Sequence, residues 1–361
     1  MKVFLAGGGT SGHIHPAVAI ADELKKQDPS AEVLFCGTEK GLEAQIIPKM
    51  GYPFKVIRAA QLPMKISKKT FKAVKEFLAG RKMCRKLLRE NRPDVVVGTG
   101  GFVCSPLIAA AHKEKVPILL HEQNAFPGRS NRMMSKYAGT VCTSFPNLDH
   151  YFNKKAKIVF TGNPIRGVFS TVDRDACRTK LGLTINDTLI LAMGGSLGAR
   201  TVNSAIVELA KAITDPNVKI ILSVGKQRYK EVMEEAKNWP KSIEVFEYIQ
   251  DPETYLAACD LFIGRAGAIT CAEVQAVGAP SVLIPYPYAA QDHQTYNAKT
   301  FEDAKAGILL PDDQAVEKLP GIVTELLADK ERLTNMRKNA RELAIYDAAS
   351  RIVDEVKALA R

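Results

Sequence analysis

The chain of 361 residues is too long for one ordinary compact core and suits two domains of about 150 to 180 residues each. Its composition, 46% hydrophobic and 25% charged without a low-complexity stretch, excludes a chain dominated by disorder. The net charge of +11 is uneven, because residues 65–92 hold eleven Lys or Arg against two Glu; such a surface suits nucleic acid, anionic lipid or a phosphorylated ligand.

From the N-terminus, MKVFLAGGG runs directly into a strand and a glycine loop, so no signal peptide is expected. Short apolar runs then alternate with helical stretches: KVFLAG (2–7), EVLFCG (32–37), DVVVG (94–98), PILLHEQ (117–123), LILAMGG (189–195), KIILSVG (219–225), DLFIG (260–264) and PSVLIP (280–285). This is the pattern of βαβ units and a parallel sheet. Within the basic segment, Ile66, Phe71, Val74, Phe77 and Leu78 recur at near-helical spacing with Lys68, Lys69, Lys72 and Lys75 between them. An amphipathic basic stretch of this kind is expected to lie on an anionic membrane. Nucleic acid is disfavoured as a partner, since no aromatic-interleaved or other binding module appears. The most apolar window, 95–111, is broken by Gly98, Gly100, Gly101 and Pro106, so no span is expected to cross a bilayer. Seven scattered cysteines without a CxxC pair point to reduced thiols in a cytoplasmic protein, and against disulfides or structural zinc.

The pattern repeats. GGTSG (8–12) and GGSLG (194–198) each close an apolar strand and open a helix, while DVVVGTGG (94–101) aligns with DLFIGRAG (260–267). The reading is two α/β domains in series, 1–165 and 166–345, with a last helix in 346–361 that returns to the first domain. Ligands are expected in the cleft between them. Strand, glycines and helix start together gather backbone N–H groups and a helix's positive end, which bind phosphate without a metal. The arrangement occurs at 7–12, 98–101, 194–198 and 264–267. Residues 7–12 also fit G-x-G-x-x-G with Glu39 as a ribose acid, the mark of a nicotinamide enzyme. Against that reading, the second half carries its own glycine loop, and a dehydrogenase needs only one such domain.

His13 follows the first loop at a helix start, where the dipole favours the neutral imidazole that a general base requires; helix capping or packing is the plainer alternative, and His15 reads as structural. Asn124 and Gln123, in HEQNAFPG (121–128), follow a strand end, where polar side chains touch ligand or form a turn. Glu273 lies early in the helix after Gly267, within reach of a ribose diol, or is simply a solvated helical carboxylate. Gln291, Asp292, His293, Gln294 and Asn297 form a polar cluster beyond another strand, or an ordinary surface loop. No metal site is expected: Asp173 and Asp175 form the only D-x-D and read as a helix cap, so Arg166 and backbone dipoles are left to meet diphosphate charge.

GGGTSGHIHP, GTGGFVCSP, HEQNAFPGRSN, GNPIR, GGSLGAR, RAGAITCAE and QDHQTYNA, taken in order, resemble the bacterial undecaprenyl-diphospho-muramoyl-pentapeptide N-acetylglucosaminyltransferases, which convert lipid I to lipid II in peptidoglycan synthesis. The resemblance implies a glycosyltransferase B-type fold, two Rossmann-like domains with parallel sheets facing a cleft. It implies inverting transfer of N-acetylglucosamine from UDP-N-acetylglucosamine to the 4-hydroxyl of the muramoyl sugar, with no cofactor. By matching motif positions, Thr10, Ser11 and Gly12 would line the diphosphate side, with His13 as base. Asn124 would contact the donor sugar, Arg166 and Ser196 the diphosphate, and the Ile249 backbone the uracil. Ala268, Ile269 and Thr270 would form the helix start around the nucleotide, with Glu273 on the ribose and Gln294 on the sugar hydroxyls. The family is peripheral on the cytoplasmic face of the membrane. This chain departs from its motifs at Leu197, Ala266 and Ser11, where glutamine, serine and glycine are usual. A UDP-sugar 2-epimerase and a non-catalytic nucleotide-sugar sensor are the rival readings.

Overall fold

A computed structural model of the chain describes residues 1–361 apart from 62, 64–67, 196, 197, 228 and 361, and leaves undescribed the side chains of 68 and 69. Ile66, Ser196 and Leu197 therefore lie outside the described residues, as do the Lys68 and Lys69 side chains. The chain divides into two units, Met1–Ile165 with Asp347–Arg361, and Arg166–Tyr346.

In the first unit, β1 (Lys2–Gly7), β2 (Glu32–Gly37), β3 (Phe54–Val56), β4 (Val95–Gly100), β5 (Ile118–Glu122), β6 (Thr140–Thr143) and β7 (Lys157–Phe160) form one sheet in the order β3-β2-β1-β4-β5-β6-β7. All its pairings are parallel. Parallel strands need helical crossovers, which cover both faces, and so the central strands are apolar on both sides. Successive residues of β1 accordingly enter different cores. Phe4 and Ala6 join Val96, Leu107 and Leu120, while Val3 and Leu5 join Ile14, Val95 and Val97. The second core also takes Ile352, Val353 and Val356 from the helix Ala348–Leu359. Lys357 Nζ donates to Gln27 Oε1 at 2.6 Å, and Gln27 Nε2 donates to Ser350 Oγ at 3.0 Å, fixing that helix beside Ser11–Gln27.

The second unit repeats the plan with β8 (Thr188–Met193), β9 (Val218–Ser223), β10 (Ile243–Phe246), β11 (Leu261–Gly264), β12 (Ser281–Leu283) and β13 (Gly307–Leu309), in the order β10-β9-β8-β11-β12-β13. Its pairings are also parallel. The helix Arg200–Ala212 buries Val202, Ala205, Ile206 and Leu209, an i, i+3, i+4, i+7 stripe, against Ile190, Ile220 and Ile263.

Both sheets share the doubly wound order, in which the strand sequence reverses beside the first strand. The reversal falls between β1 and β4 in one unit and between β8 and β11 in the other. All four glycine loops leave these four strands, at the places where such sheets bind ligands.

The basic helix runs Lys68–Asn91. Ala73, Gly80, Cys84 and Leu88 form its buried side. Phe71, Val74 and Leu78 stand on the outside with exposures of 75%, 43% and 47%. Phe77 departs from the sequence expectation: four residues from Ala73 and three from Gly80, it falls on the inward side and is half-buried. Among the described residues no helix is long and apolar enough to cross a membrane.

Candidate functional site

In the first unit the two glycine loops interlock. Gly9, Gly100 and Gly101 have φ of +84°, +111° and +81°, a backbone region in which side chains are strained. A Cβ on Gly101 would fall 2.2 Å from the Gly8 carbonyl oxygen, and one on Gly100 2.5 Å from His13 Cδ2. The loop 98–101 is thus glycine-rich so that Gly8 and the His13 ring can approach it. Thr99 Oγ1 donates to the His13 carbonyl at 2.7 Å, and Thr10 Oγ1 lies 2.9 Å from His13 Nδ1. Thr10 is the exposed N-cap of Ser11–Gln27, and Ser11, Gly12, His13 and His15 are half-buried in its first turns.

Behind the first loop stands a carboxylate that sequence reasoning missed. Glu43 is 1% exposed and accepts from Gly9 N at 3.2 Å, Thr38 N at 3.0 Å and Thr38 Oγ1 at 2.7 Å. The Gly9 N–H is therefore engaged by a side chain, not held out for phosphate. Glu39, the ribose acid of the nicotinamide reading, is exposed four residues earlier.

A second buried carboxylate organises the segment after β5. Glu122 accepts from Asn124 N at 3.0 Å, Asn124 Nδ2 at 3.2 Å, Gly128 N at 3.0 Å and Asn131 Nδ2 at 2.9 Å. Burial raises its pKa while these bonds oppose the rise. Asn124 is so held in place, half-buried. Gln123 is 2% exposed and donates to His121 Nδ1 at 2.8 Å, which makes it part of the interior and not a ligand contact. With Nδ1 accepting, His121 Nε2 carries the hydrogen and donates to the Gly162 carbonyl at 3.1 Å. Burial pushes His121 down to about 4, so it stays neutral.

In the second unit, Gly195 and Gly198 of the 194–198 loop take φ of +82° and +77° ahead of the helix Arg200–Ala212. Gly264 closes β11, where a Cβ would fall 2.6 Å from the Met193 carbonyl oxygen. Gly267 then caps the helix Ala268–Val277, which brings Ala268, Ile269 and Thr270 into its first turn and Glu273 into its second. Glu273 is half-buried. Desolvation raises its pKa to about 7, with the Arg166 charge lowering it and Glu253 raising it. Arg166 Nη2 donates to Glu253 Oε2 at 2.6 Å, and its guanidinium lies 5.3 Å from the Phe169 ring centre. The structure thus groups Arg166 with Glu273 and adds Glu253, a partner no motif signalled.

Ile249 is buried at 4% exposure. Gln294 Oε1 accepts from Tyr286 N at 2.9 Å, and Asn297 Nδ2 donates to the Ala266 carbonyl at 3.0 Å. Gln291 and Asp292 sit on an exposed turn, and Asp292 accepts from Thr295 Oγ1 at 2.7 Å. Asp173 caps the helix Arg174–Lys180, accepting from Ala176 N at 2.8 Å. Among the described residues, no three His, Cys, Asp or Glu side chains are grouped to hold a metal ion. The seven cysteines are unpaired and buried, and burial pushes Cys84, Cys104, Cys259 and Cys271 up to about 12, which keeps them as thiols.

Two doubly wound parallel domains, each with paired glycine loops at its strand-order reversal, define a glycosyltransferase of the B type. Residues 3–143 match the glycosyltransferase family 28 N-terminal domain and residues 189–352 its C-terminal domain. The chain is 41% identical to a UDP-N-acetylglucosamine--N-acetylmuramyl-(pentapeptide) pyrophosphoryl-undecaprenol N-acetylglucosamine transferase of Acetivibrio thermocellus, over 99% of this chain and 98% of that one. It is 41% identical to the protein of that name from Caldanaerobacter subterraneus, over 99% of this chain and 100% of the other. Among solved structures, Acinetobacter baumannii MurG superposes with a TM-score of 0.78 at 30% identity, covering 99% of each chain. A Neisseria meningitidis UDP-GlcNAc 2-epimerase superposes with a TM-score of 0.70 at 14% identity, over 99% of this chain and 100% of that one, a likeness of fold alone. The chain belongs to the family of N-acetylmuramyl-(pentapeptide) pyrophosphoryl-undecaprenol N-acetylglucosamine transferases.

Proposed function

We propose that this protein transfers N-acetylglucosamine from UDP-N-acetylglucosamine to the 4-hydroxyl of the muramoyl sugar of lipid I, forming lipid II with inversion at the anomeric carbon. The observation that carries the reading is the setting of His13, with its ring against Gly100 and its Nδ1 2.9 Å from the Thr10 hydroxyl, at the strand-order reversal of the first unit. For Nε2 to take a proton, Nδ1 must carry the other hydrogen. The Thr10 oxygen, 2.9 Å away, is placed to accept it, an arrangement compatible with the tautomer a general base needs. The acceptor hydroxyl then loses its proton to His13 as its oxygen attacks the anomeric carbon from the face opposite the departing UDP.

In the second unit Arg166, Ser196 and the N-terminus of Ala268–Val277 take the diphosphate charge. Ile249 offers its backbone to uracil, Glu273 accepts from the ribose diol, and Gln294 holds the sugar, with Asn124 as its further contact. Thr10, Ser11 and Gly12 line the diphosphate side of the first loop. The first domain binds the acceptor and the second the nucleotide sugar.

The protein works at the cytoplasmic face of the membrane, held peripherally through the helix Lys68–Asn91. The exposed Phe71, Val74 and Leu78 enter the headgroup boundary beside Lys72 and Lys75. Ile66, Lys68 and Lys69 belong to the same membrane-associating set by sequence.

The test is UDP release from UDP-N-acetylglucosamine with and without a lipid I analogue. Release that requires the acceptor, with a disaccharide product of β configuration, supports the transferase. A new sugar nucleotide formed without acceptor identifies an epimerase, and binding without release a sensor.

A further inference from the structure

Arg265 follows β11 inside a glycine loop, where a guanidinium would ordinarily be assigned to phosphate. Its hydrogen bonds lead elsewhere. Nη1 donates to the carbonyls of Ile284 at 3.1 Å and Pro285 at 3.0 Å, and to Asp312 Oδ1 at 2.5 Å. The guanidinium also lies 5.5 Å from the Tyr286 ring centre. Both charged side chains are largely buried, at 11% and 19% exposure. The second Asp312 oxygen accepts from Thr201 Oγ1 at 3.0 Å, at the start of Arg200–Ala212.

The residue after Pro285 passes this fixity on. Tyr286 N donates to Gln294 Oε1 at 2.9 Å. A backbone N–H can meet only the amide oxygen, so Gln294 is held with its NH2 as the edge left for a ligand. That edge donates, and sugar hydroxyls and acetamido oxygens accept. Farther along, Asn297 Nδ2 ties the helix His293–Asp303 to the Ala266 carbonyl. The segment between β12 and that helix is thus fastened to the 264–267 loop at both ends. It needs fastening: Gln291 and Asp292 have φ of +61° and +55°, costly for residues other than glycine. A buried ion pair adds little stability over an apolar pair of equal volume, and its best-attested use is to select one geometry.

We infer that Arg265 and Asp312 are positioning residues that set Gln294 against the sugar of the nucleotide donor, and that Arg265 is not a diphosphate ligand. The inference rests on the donor reading above. It separates two quantities that a phosphate role or a general loss of structure would move together, because UDP lacks the sugar that Gln294 touches.

The experiment uses the full chain with Arg265→Lys and Asp312→Asn, measuring KM for UDP-N-acetylglucosamine and, by calorimetry, Kd for UDP. The expected result is a rise in donor KM of about tenfold or more with UDP affinity kept within about twofold. In a Gln294→Ala background, Arg265→Lys is expected to add less than about twofold, since its effect passes through that side chain. Parallel losses of UDP and UDP-N-acetylglucosamine, an unchanged donor KM, or full additivity with Gln294→Ala would each overturn the inference. Asp312→Asn keeps shape and one acceptor, so it reads the same quantity should Arg265→Lys fold poorly. Failure of the unsubstituted protein to turn over UDP-N-acetylglucosamine with lipid I would instead strike the donor reading.

Discussion

The two units share a winding order and a pair of glycine loops, yet the charged groups that brace those loops differ. In the first unit the buried carboxylate of Glu43 occupies the Gly9 N–H, and that of Glu122 holds the segment after β5. In the second, the guanidinium of Arg265 braces the neighbouring segment, and Arg166 pairs with Glu253. Glycines supply close approach and positive φ, and say nothing of charge. The surrounding side chains differ: buried carboxylates that accept from loop N–H groups brace one unit, and arginine–carboxylate pairs brace the other.

The sharpest way to break this comparison is His13→Ala. A positioned general base contributes typically about 10² to 10⁴ in rate, so kcat should fall by that order while UDP affinity, to which a base for the acceptor hydroxyl does not contribute, stays within about twofold. Near-normal turnover with an unaltered pH profile would remove His13 from the chemistry. Next in size is Glu43→Gln. Its amide nitrogen must face one of three donors that now meet oxygen, a loss of about 1.5–3 kcal/mol in unfolding free energy, read as a lower urea midpoint with an unchanged slope. An unshifted midpoint would mean that the first loop does not depend on its carboxylate.

The outer face of Lys68–Asn91 is tested by Lys72→Ala with Lys75→Ala. Each lysine near an anionic surface contributes about 1 kcal/mol, so the pair should weaken binding to phosphatidylglycerol vesicles about thirtyfold. Equal binding to neutral vesicles would point to the apolar stripe alone. The smallest expected effect is the pH response of Glu273. Its pKa of about 7 leaves it neutral below that pH, when it can no longer accept both ribose hydroxyls as an anion. Donor kcat/KM should therefore fall as pH drops through about 7, and Glu273→Gln should flatten that limb. The stability effect has the opposite sign. A raised carboxyl pKa favours the folded state at acid pH, and the advantage is lost as pH rises through about 7.

Much of the architecture was legible because eight strands are continuous apolar runs, most of them followed by glycine or proline. The other five, β3, β6, β7, β10 and β13, have three or four residues each, and all but β6 are edges or half-exposed. Strands that bury one face or less leave no run to read. The glycine loops and His13 were legible for the same local reason. Glu43 and the Arg265–Asp312 pair were not, since their partners lie up to 47 residues away and only folding joins them. The half-buried setting of Phe77 was not legible, because apolar spacing alone does not say which side of the helix packs on the core.

The central claim is that the loops of the second unit grip a nucleoside diphosphate, and calorimetry of UDP with the intact chain tests it most directly. The expected result is saturable binding of one UDP per chain, weakened about 10- to 100-fold by Arg166→Ala, the worth of one charge-assisted pair. Absence of saturable heat, or affinity indifferent to Arg166, would contradict it.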